Sequence, residues 1–472
     1  MSQRFEPGAV IDGFTLEDRV HMGGMATLWS VTKQGDPRPM LMKVPHFGEG
    51  SDPAAIVSFE MERMILPRLS GPHVPQFVAA GDFSNQPYLV MERIEGTTLL
   101  AKLDALPLGY EEAAAIASRI AAALSDLHRQ NVIHLDVKPS NIIFRPDGEA
   151  VLIDYGLSHH RQLPDLMQEE FRLPYGTAPY MAPEQLLGVR SDARSDQFAL
   201  GVILYFFSTG ERPFGEGETM RAMRRRLWRD PYPPRSLHAD YPPWLQEIVL
   251  RCLEVEPAWR YPAMSHLSFD LAQPDQVKLT ARSQKLKRDP LSVVLRRRFN
   301  PDLKRGIVKE TEVDLSEAPI IMAAVDISAD AAANEALLAE TRRLLASAPN
   351  ARLACVNVLK QNRIALDTTL DEQGKNKHIE RMAALRKWAA PLQLEAPRVT
   401  VHVLEEIDPA SAILEFARLN AAGHILIGAR RNSFRKKLLG SVSAKVAAEA
   451  FCSVTVVRPA QAIDRSRYLY DD

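Results

Sequence analysis

The chain has 472 residues, 46% of them hydrophobic and 25% charged, a profile of soluble globular protein too long for one ordinary core and suited to two or three domains. With 58 Lys and Arg against 59 Asp and Glu the net charge is −1, so no bulk field draws the molecule to nucleic acid or to anionic lipid. Three widely separated cysteines, Cys252, Cys355 and Cys452, exclude a disulfide framework and show no metal-type spacing, which points to the reducing cytoplasm.

Residues 1–13 are mixed polar with no apolar signal core. The strongest apolar run, Val202 to Phe207, falls far short of the ~20 residues a membrane helix needs, so no membrane span is expected. From about Phe14 to Gln86, short apolar runs broken by Gly and Pro surround one helical stretch, Ala55 to Leu69, which predicts a mainly β lobe carrying a single helix. Tyr88 to Glu92 adds a strand before a hinge at Glu95-Gly96. Tyr110 to Gln130 is helical and alanine-rich. Phe144 to Ile153 reads as a hairpin turning on Pro146-Asp147-Gly148, and helices dominate from Asp196 to about Leu271.

Residues 278–309 break the composition: eleven Lys and Arg face only Asp289 and Asp302. A basic linker is the plain reading, with binding to the surface of the preceding domain, to nucleic acid or to acidic lipid as the alternatives. Beyond it, β-branched runs at Pro319 to Val325, Arg352 to Leu359, Val399 to Leu404, His424 to Gly428 and Ser453 to Val457 alternate with helical stretches such as Ala331 to Ala346 and Pro409 to Leu419. That alternation predicts a parallel sheet with helices on both faces.

Chemistry concentrates in His134-Leu135-Asp136-Val137-Lys138-Pro139-Ser140-Asn141, followed by Asp154-Tyr155-Gly156 at the end of an apolar run. One loop can bring a carboxylate, an ammonium and an amide onto a transferring phosphoryl group. Asp136 can accept the proton of an attacking hydroxyl, and Lys138 can neutralise charge on the phosphate. Asn141 and Asp154 offer hard oxygen ligands for magnesium.

These segments resemble the catalytic and metal-binding loops of eukaryotic-type, bacterial Ser/Thr protein kinases, and the resemblance covers about residues 14–270. It implies ATP and Mg as cofactors and a protein Ser or Thr hydroxyl as acceptor. His21-Met22-Gly23-Gly24-Met25-Ala26, with Leu28, matches the family's phosphate-covering turn, although His21 and Ala26 stand where its first and third glycines would be. Lys43 corresponds to the strand lysine on the α- and β-phosphates, and Glu62 to the helix acid that orients it, Glu60 being out of phase. Met91, ahead of the hinge, falls among the nucleotide-binding positions. Lys138 fits Ser/Thr-directed kinases, His134 a structural role, and Tyr155 the family's aromatic plug.

Thr177, in Gly176 to Glu184, matches the threonine that bridges the catalytic Asp and Lys. Glu184 is expected to pair with Arg260, and Asp196 to hold the catalytic-loop backbone. Leu135 replaces the arginine that grips an activation-loop phosphate in many kinases. Between Gly156 and Met181 the only hydroxyl side chains are Ser158, Tyr175, Thr177 and Tyr180. Activity without activation-loop phosphorylation is therefore expected.

Residues 317–459 resemble a universal stress protein domain through Ile320 to Asp326, Ile425 to Gly428, Leu438 to Val442 and Cys452 to Pro459. The resemblance implies ATP or AMP held by Asp326, Gly428, Gly440 and Ser441, with phosphates at a helix N-terminus. The family's second glycine is Arg431 here, and the spacer to Gly440 is one residue short. A solvated basic loop at Arg431, Arg435, Lys436 and Lys437 stays open beside nucleotide binding. Homodimerisation through Val454 to Val457 is implied as well.

The expected architecture is a two-lobed α+β protein kinase domain over 10–270, a basic linker over 271–315 and an α/β doubly wound parallel-sheet domain, universal stress protein-like, over 316–460. The expected function is a cytoplasmic Ser/Thr protein kinase with a regulatory or oligomerisation module. A pseudokinase or nucleotide-sensing scaffold is the alternative, suggested by the glycine-poor turn. A small-molecule phosphotransferase is a third reading, opposed by Thr177 and by Ala182-Pro183-Glu184.

Overall fold

The computed structural model describes residues 5–46, 53–81, 87–171, 175–215, 219–299, 319–360, 377–394, 398–429 and 441–459. The chain divides into two compact units, with the main division between residues 313 and 314.

The first unit opens with β1 (Val10–Ile11), β2 (Phe14–Met22), β3 (Ala26–Lys33) and β4 (Asp36–Pro45), then helix α1 (Pro53–Ile65), β5 (Phe77–Gly81) and β6 (Tyr88–Glu92). They form a six-stranded sheet in the order β1-β2-β3-β4-β6-β5. Strand alternation decides what each face carries. Met40, Met42 and Val44 of β4 enter a core with Phe14, Leu16, Trp29 and Val90. Lys43, between two of them, is sent to the opposite face, in register with Leu28 on one side and Leu89 on the other.

Helix α1 is buried nearly all round: Ala55, Ile56, Phe59, Met61, Glu62 and Ile65 are each at most 4% exposed. The predicted continuation to Leu69 is not α-helical. Pro67 lacks an N–H and disfavours α geometry before it, so the chain tightens into a 3₁₀ turn over Leu66–Arg68.

A short strand β7 (Thr97–Thr98) leads to α2 (Tyr110–Arg129), which starts with Glu111 and Glu112 and ends with His128 and Arg129, the charges its dipole favours. Strand β8 (Val132–Ile133) precedes the catalytic loop, and β9 (Ile142–Phe144) and β10 (Ala150–Leu152) form the predicted hairpin. Gly148 turns it at φ +90°, with Asp147 Oδ1 accepting the Glu149 N–H at 3.0 Å. Strand β11 (His159–His160) pairs with β8, which lays the start of the segment after Gly156 alongside the chain entering His134.

The helices that follow are α3 (Leu166–Glu170), α4 (Arg194–Thr209), α5 (Met220–Met223), α6 (Pro234–Leu237), α7 (Pro243–Cys252), α8 (Met264–Ala272) and α9 (Leu291–Arg298). Phe198, Leu200, Val202, Ile203 and Leu204 bury α4 at no more than 1% exposure, so it is the axis of this lobe.

The basic stretch read as a linker is attached to this lobe over its first part. Glu247 of α7 accepts the Thr280 N–H at 2.9 Å and the Ser283 N–H at 3.1 Å. Arg282 Nε reaches Glu254 at 2.9 Å, and Lys285 Nζ reaches Asp230 at 2.9 Å. Composition showed the cations but not the distant acids that receive them.

The second unit consists of β12 (Ile320–Ala324), α10 (Ala331–Ser347), β13 (Arg352–Lys360), α11 (Lys377–Ala389), β14 (Val399–Glu406), α12 (Pro409–Leu419), β15 (His424–Gly428), α13 (Ser441–Glu449) and β16 (Ser453–Val457). The sheet is parallel, in the order β14-β13-β12-β15-β16. Met322, Val356, Ile425 and Ile427 pack against Ile413 and Phe416 of α12. The five strands fall where β-branched runs predicted them, because a parallel strand covered on both faces reads as a continuous apolar run.

Candidate active site

Lys43 is the meeting point of three elements. Its Nζ lies 2.5 Å from Glu62 Oε2 on α1 and 3.0 Å from Asp154 Oδ1 after β10. Burial alone would push the ammonium down, but Asp154 and then Glu62 outweigh it and hold Lys43 above the ordinary lysine value. Lys43 in turn pulls the Asp154 carboxyl below its ordinary value. Asp154 is the open member of the trio, its side chain 43% exposed against 2% for Glu62. Glu60 points elsewhere, to Arg63 at 3.1 Å.

Asp136 is gripped from three sides. Thr177 donates its hydroxyl to Oδ1 at 2.7 Å and its N–H at 3.1 Å. Lys138 Nζ stands 2.6 Å from Oδ2 and 2.9 Å from Thr177 Oγ1. Asn141 Nδ2 donates to Oδ2 at 3.1 Å and to the Asp136 carbonyl at 3.0 Å. The carboxylate is thereby fixed in direction while its loop turns beneath it.

That loop is strained and braced. Leu135 has φ +61° and Asp154 φ +69°, left-handed geometry that non-glycine residues adopt at a cost of ~1–3 kcal/mol each. Fully buried Asp196 accepts the N–H groups of His134 and Leu135, both at 2.9 Å, and pairs with His128 Nε2 at 2.8 Å. Gln185 Nε2 donates to the Leu135 carbonyl at 2.9 Å. His134 Nε2 lies 3.2 Å from the Ile153 carbonyl, which ties the catalytic loop to the strand before Asp154. Glu184 and Arg260 form a two-pronged buried pair at 2.6 and 2.8 Å.

Tyr155 is fully buried, donating its hydroxyl to the Leu152 carbonyl at 2.7 Å and packing on His134. Gly156 lies so close to α1 that a Cβ there would sit 2.0 Å from Ser58 Oγ. The metal-loop backbone and the helix carrying Glu62 are therefore in direct contact.

The residues present suit a divalent cation of the magnesium type. Asn141 has an amide oxygen that accepts from Ser140 Oγ at 3.3 Å, and Asp154 has a second carboxylate oxygen beyond the one that Lys43 holds. One amide and one carboxylate, completed by water and phosphate oxygens, is the sparse protein donor set such a cation takes in phosphoryl-transfer sites. Among the described residues, no cluster of three His, Cys, Asp or Glu could hold a metal by itself.

Strands β2 and β3 flank the phosphate turn, closed by the Gly23 N–H to the Ala26 carbonyl at 3.0 Å. His21 pairs with Leu28 across it, and its ring folds back toward Gly23. Gly24 is at the tip, with open space where a Cβ would be. Met91 pairs with Leu41 and is 8% exposed.

In the second unit, Asp326 follows β12 and Gly428 ends β15, two adjacent strands at the point where the strand order reverses. Ser328 donates its N–H and hydroxyl to Asp326 Oδ1 at 3.0 and 2.6 Å. Ser441 is the first residue of α13. Gly440, Arg431, Arg435, Lys436 and Lys437 lie outside the described residues.

Two supports had no clear signature in the sequence. Asp165 caps α3, and a single Asp after Pro164 signals a helix start, not the ion pair it makes. Buried Arg226 gives Nη1 to the carbonyls of Ala178 at 2.9 Å and Met181 at 2.6 Å. Burial pushes its guanidinium down to about 10, so it stays charged at neutral pH.

Comparison with known proteins agrees with this geometry. Residues 14–270 match the protein kinase domain model, and residues 318–458 match that of the universal stress protein family. The chain belongs to the protein kinase family and carries a universal stress protein domain behind the kinase domain.

Among its relatives is a serine/threonine-protein kinase, PknB, of Mycolicibacterium smegmatis, 30% identical over 273 residues, or 56% of this chain and 43% of that one. A probable serine/threonine-protein kinase PknB of Corynebacterium glutamicum is 31% identical over 275 residues, covering 56% and 42%. The chain thus spans less than half the length of these curated relatives. The solved kinase domain of Mycobacterium tuberculosis PknI superposes with a TM-score of 0.45 at 22% identity, covering 57% of this chain and 99% of that one.

Proposed function

We propose that this protein is an ATP- and Mg-dependent serine/threonine protein kinase, with the stress-protein domain serving as a sensor or oligomerisation module. The observation that carries the reading is the Asp136–Thr177–Lys138 cluster: a carboxylate aimed by a hydroxyl at 2.7 Å and flanked by an ammonium at 2.6 Å.

In this mechanism the acceptor hydroxyl of a protein Ser or Thr approaches Asp136. As its oxygen bonds to the γ-phosphorus of ATP, the bond from phosphorus to the ADP oxygen breaks and Asp136 takes the proton. Lys138 offsets charge on the moving phosphoryl oxygens, and Lys43, oriented by Glu62, holds the α- and β-phosphates. Magnesium, when bound through Asn141 and Asp154, neutralises the charge that develops on the phosphates.

In the second domain, Asp326, Gly428 and Ser441 support a second nucleotide, ATP or AMP. Strand β16, bonded to β15 at one edge of the sheet, supports a homodimer through Val454 to Val457. The three free cysteines, two of them buried, support a cytoplasmic location. Separately, no helix among the described residues is long and apolar enough to cross a membrane.

The deciding experiment uses radiolabelled ATP and the full chain. Asp136→Asn should lower turnover by ~10²–10⁴ while ATP still protects against unfolding. Lys43→Met should abolish transfer. Turnover of Asp136→Asn close to that of the unaltered protein would remove Asp136 from this role and the reading with it.

A further inference from the structure

The phosphate-transfer machinery leaves one strongly charged surface unexplained. Helix α5 and the turn after it, residues 219–229, read Thr-Met-Arg-Ala-Met-Arg-Arg-Arg-Leu-Trp-Arg, with five arginines and no acid. The inward side is firmly attached. Met223 and Leu227 pack on Met181 and Leu186, and Arg226 holds the carbonyls of Ala178 and Met181. These carbonyls belong to the residues directly after Thr177, whose hydroxyl touches Asp136. This short basic element and the acceptor end of the site are therefore one body.

Its outward side carries Arg221, Arg224, Arg225 and Arg229, all exposed. Arg298 of α9, 5.5 Å over the Trp228 ring, extends the same surface. Asp230, next in sequence, is already engaged: its carboxylate takes Lys285 and its carbonyl takes Arg288. Glu216 and Glu218 lie outside the described residues.

A solvated face is the ordinary fate of surface arginines, but Arg221, Arg224, Arg225 and Arg229 fall within nine residues of one short element, a concentration of like charge that favours an anionic partner.

We propose that this arginine surface reads acidic side chains flanking the acceptor Ser or Thr, so that the substrates are acidic protein segments. The inference rests on the kinase reading above and assigns its substrate class. A hydroxyl delivered to Asp136 lays the neighbouring peptide over residues 177–181. Five extended residues reach ~17 Å, long enough to pass from there onto the arginines. A protein acceptor is favoured over nucleic acid or lipid because the surface is anchored to the acceptor segment itself.

The test uses the full-length protein and peptides carrying one serine in a neutral background, with two or three Glu, or the same number of Lys, within five positions on either side. On one side, Glu should lower KM roughly tenfold relative to Lys, the sum of several exposed ion pairs, and added salt should shrink the difference. Arg224→Glu with Arg225→Glu should invert that KM ratio, and Arg224→Gln with Arg225→Gln should flatten it. The ratio is taken within each variant, so a general loss of folding does not imitate the result.

Equal KM for Glu and Lys peptides on both sides would overturn the substrate assignment and leave the kinase reading intact. So would variants that lose binding to RNA or to anionic vesicles while keeping the peptide ratio. No turnover of any peptide, with unaltered protein and Asp136→Asn alike, would sink the kinase reading and this inference together.

Discussion

Arg190 Nε stands 2.7 Å from Asp165 Oδ2, and its Nη2 donates to the Leu157 carbonyl at 2.8 Å. His159 Nδ1 meets the same Asp165 oxygen at 3.0 Å. Burial would raise the Asp165 carboxyl, but Arg190 and His159 outweigh it and lower it to about 2. The first half of the segment that follows Gly156 is thus pinned to Arg190 by a carboxylate of its own.

Asp165→Asn should weaken that pin and let the segment bearing Thr177 drift. A misplacement of ~1 Å at the reacting centre can cost ~100-fold, and breaking a buried pair costs ~3–5 kcal/mol. Both kcat and the kinase-domain melting point should fall. Arg190→Met should reproduce the loss, and the double variant should be little worse than either single one. Full additivity would show that the two residues act separately.

Ser158→Ala should keep turnover. Ser158 is fully buried and donates to the His134 carbonyl at 3.1 Å, so its hydroxyl faces the protein interior. The expected loss is ~1 kcal/mol of stability from one hydrogen bond, with kcat within a few-fold. Abolished turnover in a folded variant would reinstate a phosphorylation requirement.

Gly156→Ala should lower the proposed phosphoryl transfer through α1. The new Cβ would lie 2.0 Å from Ser58 Oγ and 3.1 Å from the Ser58 carbonyl, so the helix bearing Glu62 must move away from Lys43. The KM for ATP should rise and kcat should drop. Adding Ser58→Ala removes the nearer obstacle and should restore part of the activity. A double variant no better than the single one would remove the steric explanation.

Acid should weaken the kinase unit through His160. Burial, then the charges of Arg68 and His159, push its ring down to about 4, and its Nδ1 accepts the Gln162 N–H at 3.1 Å, as a neutral ring can. The unfolded chain titrates near the ordinary 6.5, so between pH 6.5 and 4 it binds more protons than the native state. Stability is therefore present at neutral pH and lost as pH falls, by about 2 kcal/mol between pH 7 and 5. Urea unfolding at those two pH values should show the slope, and His160→Gln should reduce it.

The parts of this site that rest on fixed spacing were legible in the sequence. Asp136, Lys138 and Asn141 share one loop, and Lys43 stands directly after the apolar run Met40 to Met42. Thr177 and the Glu184–Arg260 pair came through the family likeness, and the geometry bears them out. Contacts made by single residues across long separations were not legible. Nothing near Asp165 names Arg190, and an arginine run does not say that Arg226 turns inward while its neighbours stay in water. The basic stretch after residue 278 failed for the same reason, since Glu247, Glu254 and Asp230 lie on elements far from it in sequence.

Attachment of residues 280–298 to the large lobe changes where the chain can be cut. Ending the chain at residue 270, where the family likeness stops, would strip Glu247 of Arg282 and of the two N–H groups that satisfy it. Such a fragment would be fragile for reasons of simple charge balance. Its poor turnover would then be credited, wrongly, to a missing activator in the stress-protein half. A fair comparison of the separated halves keeps the first one intact through Phe299.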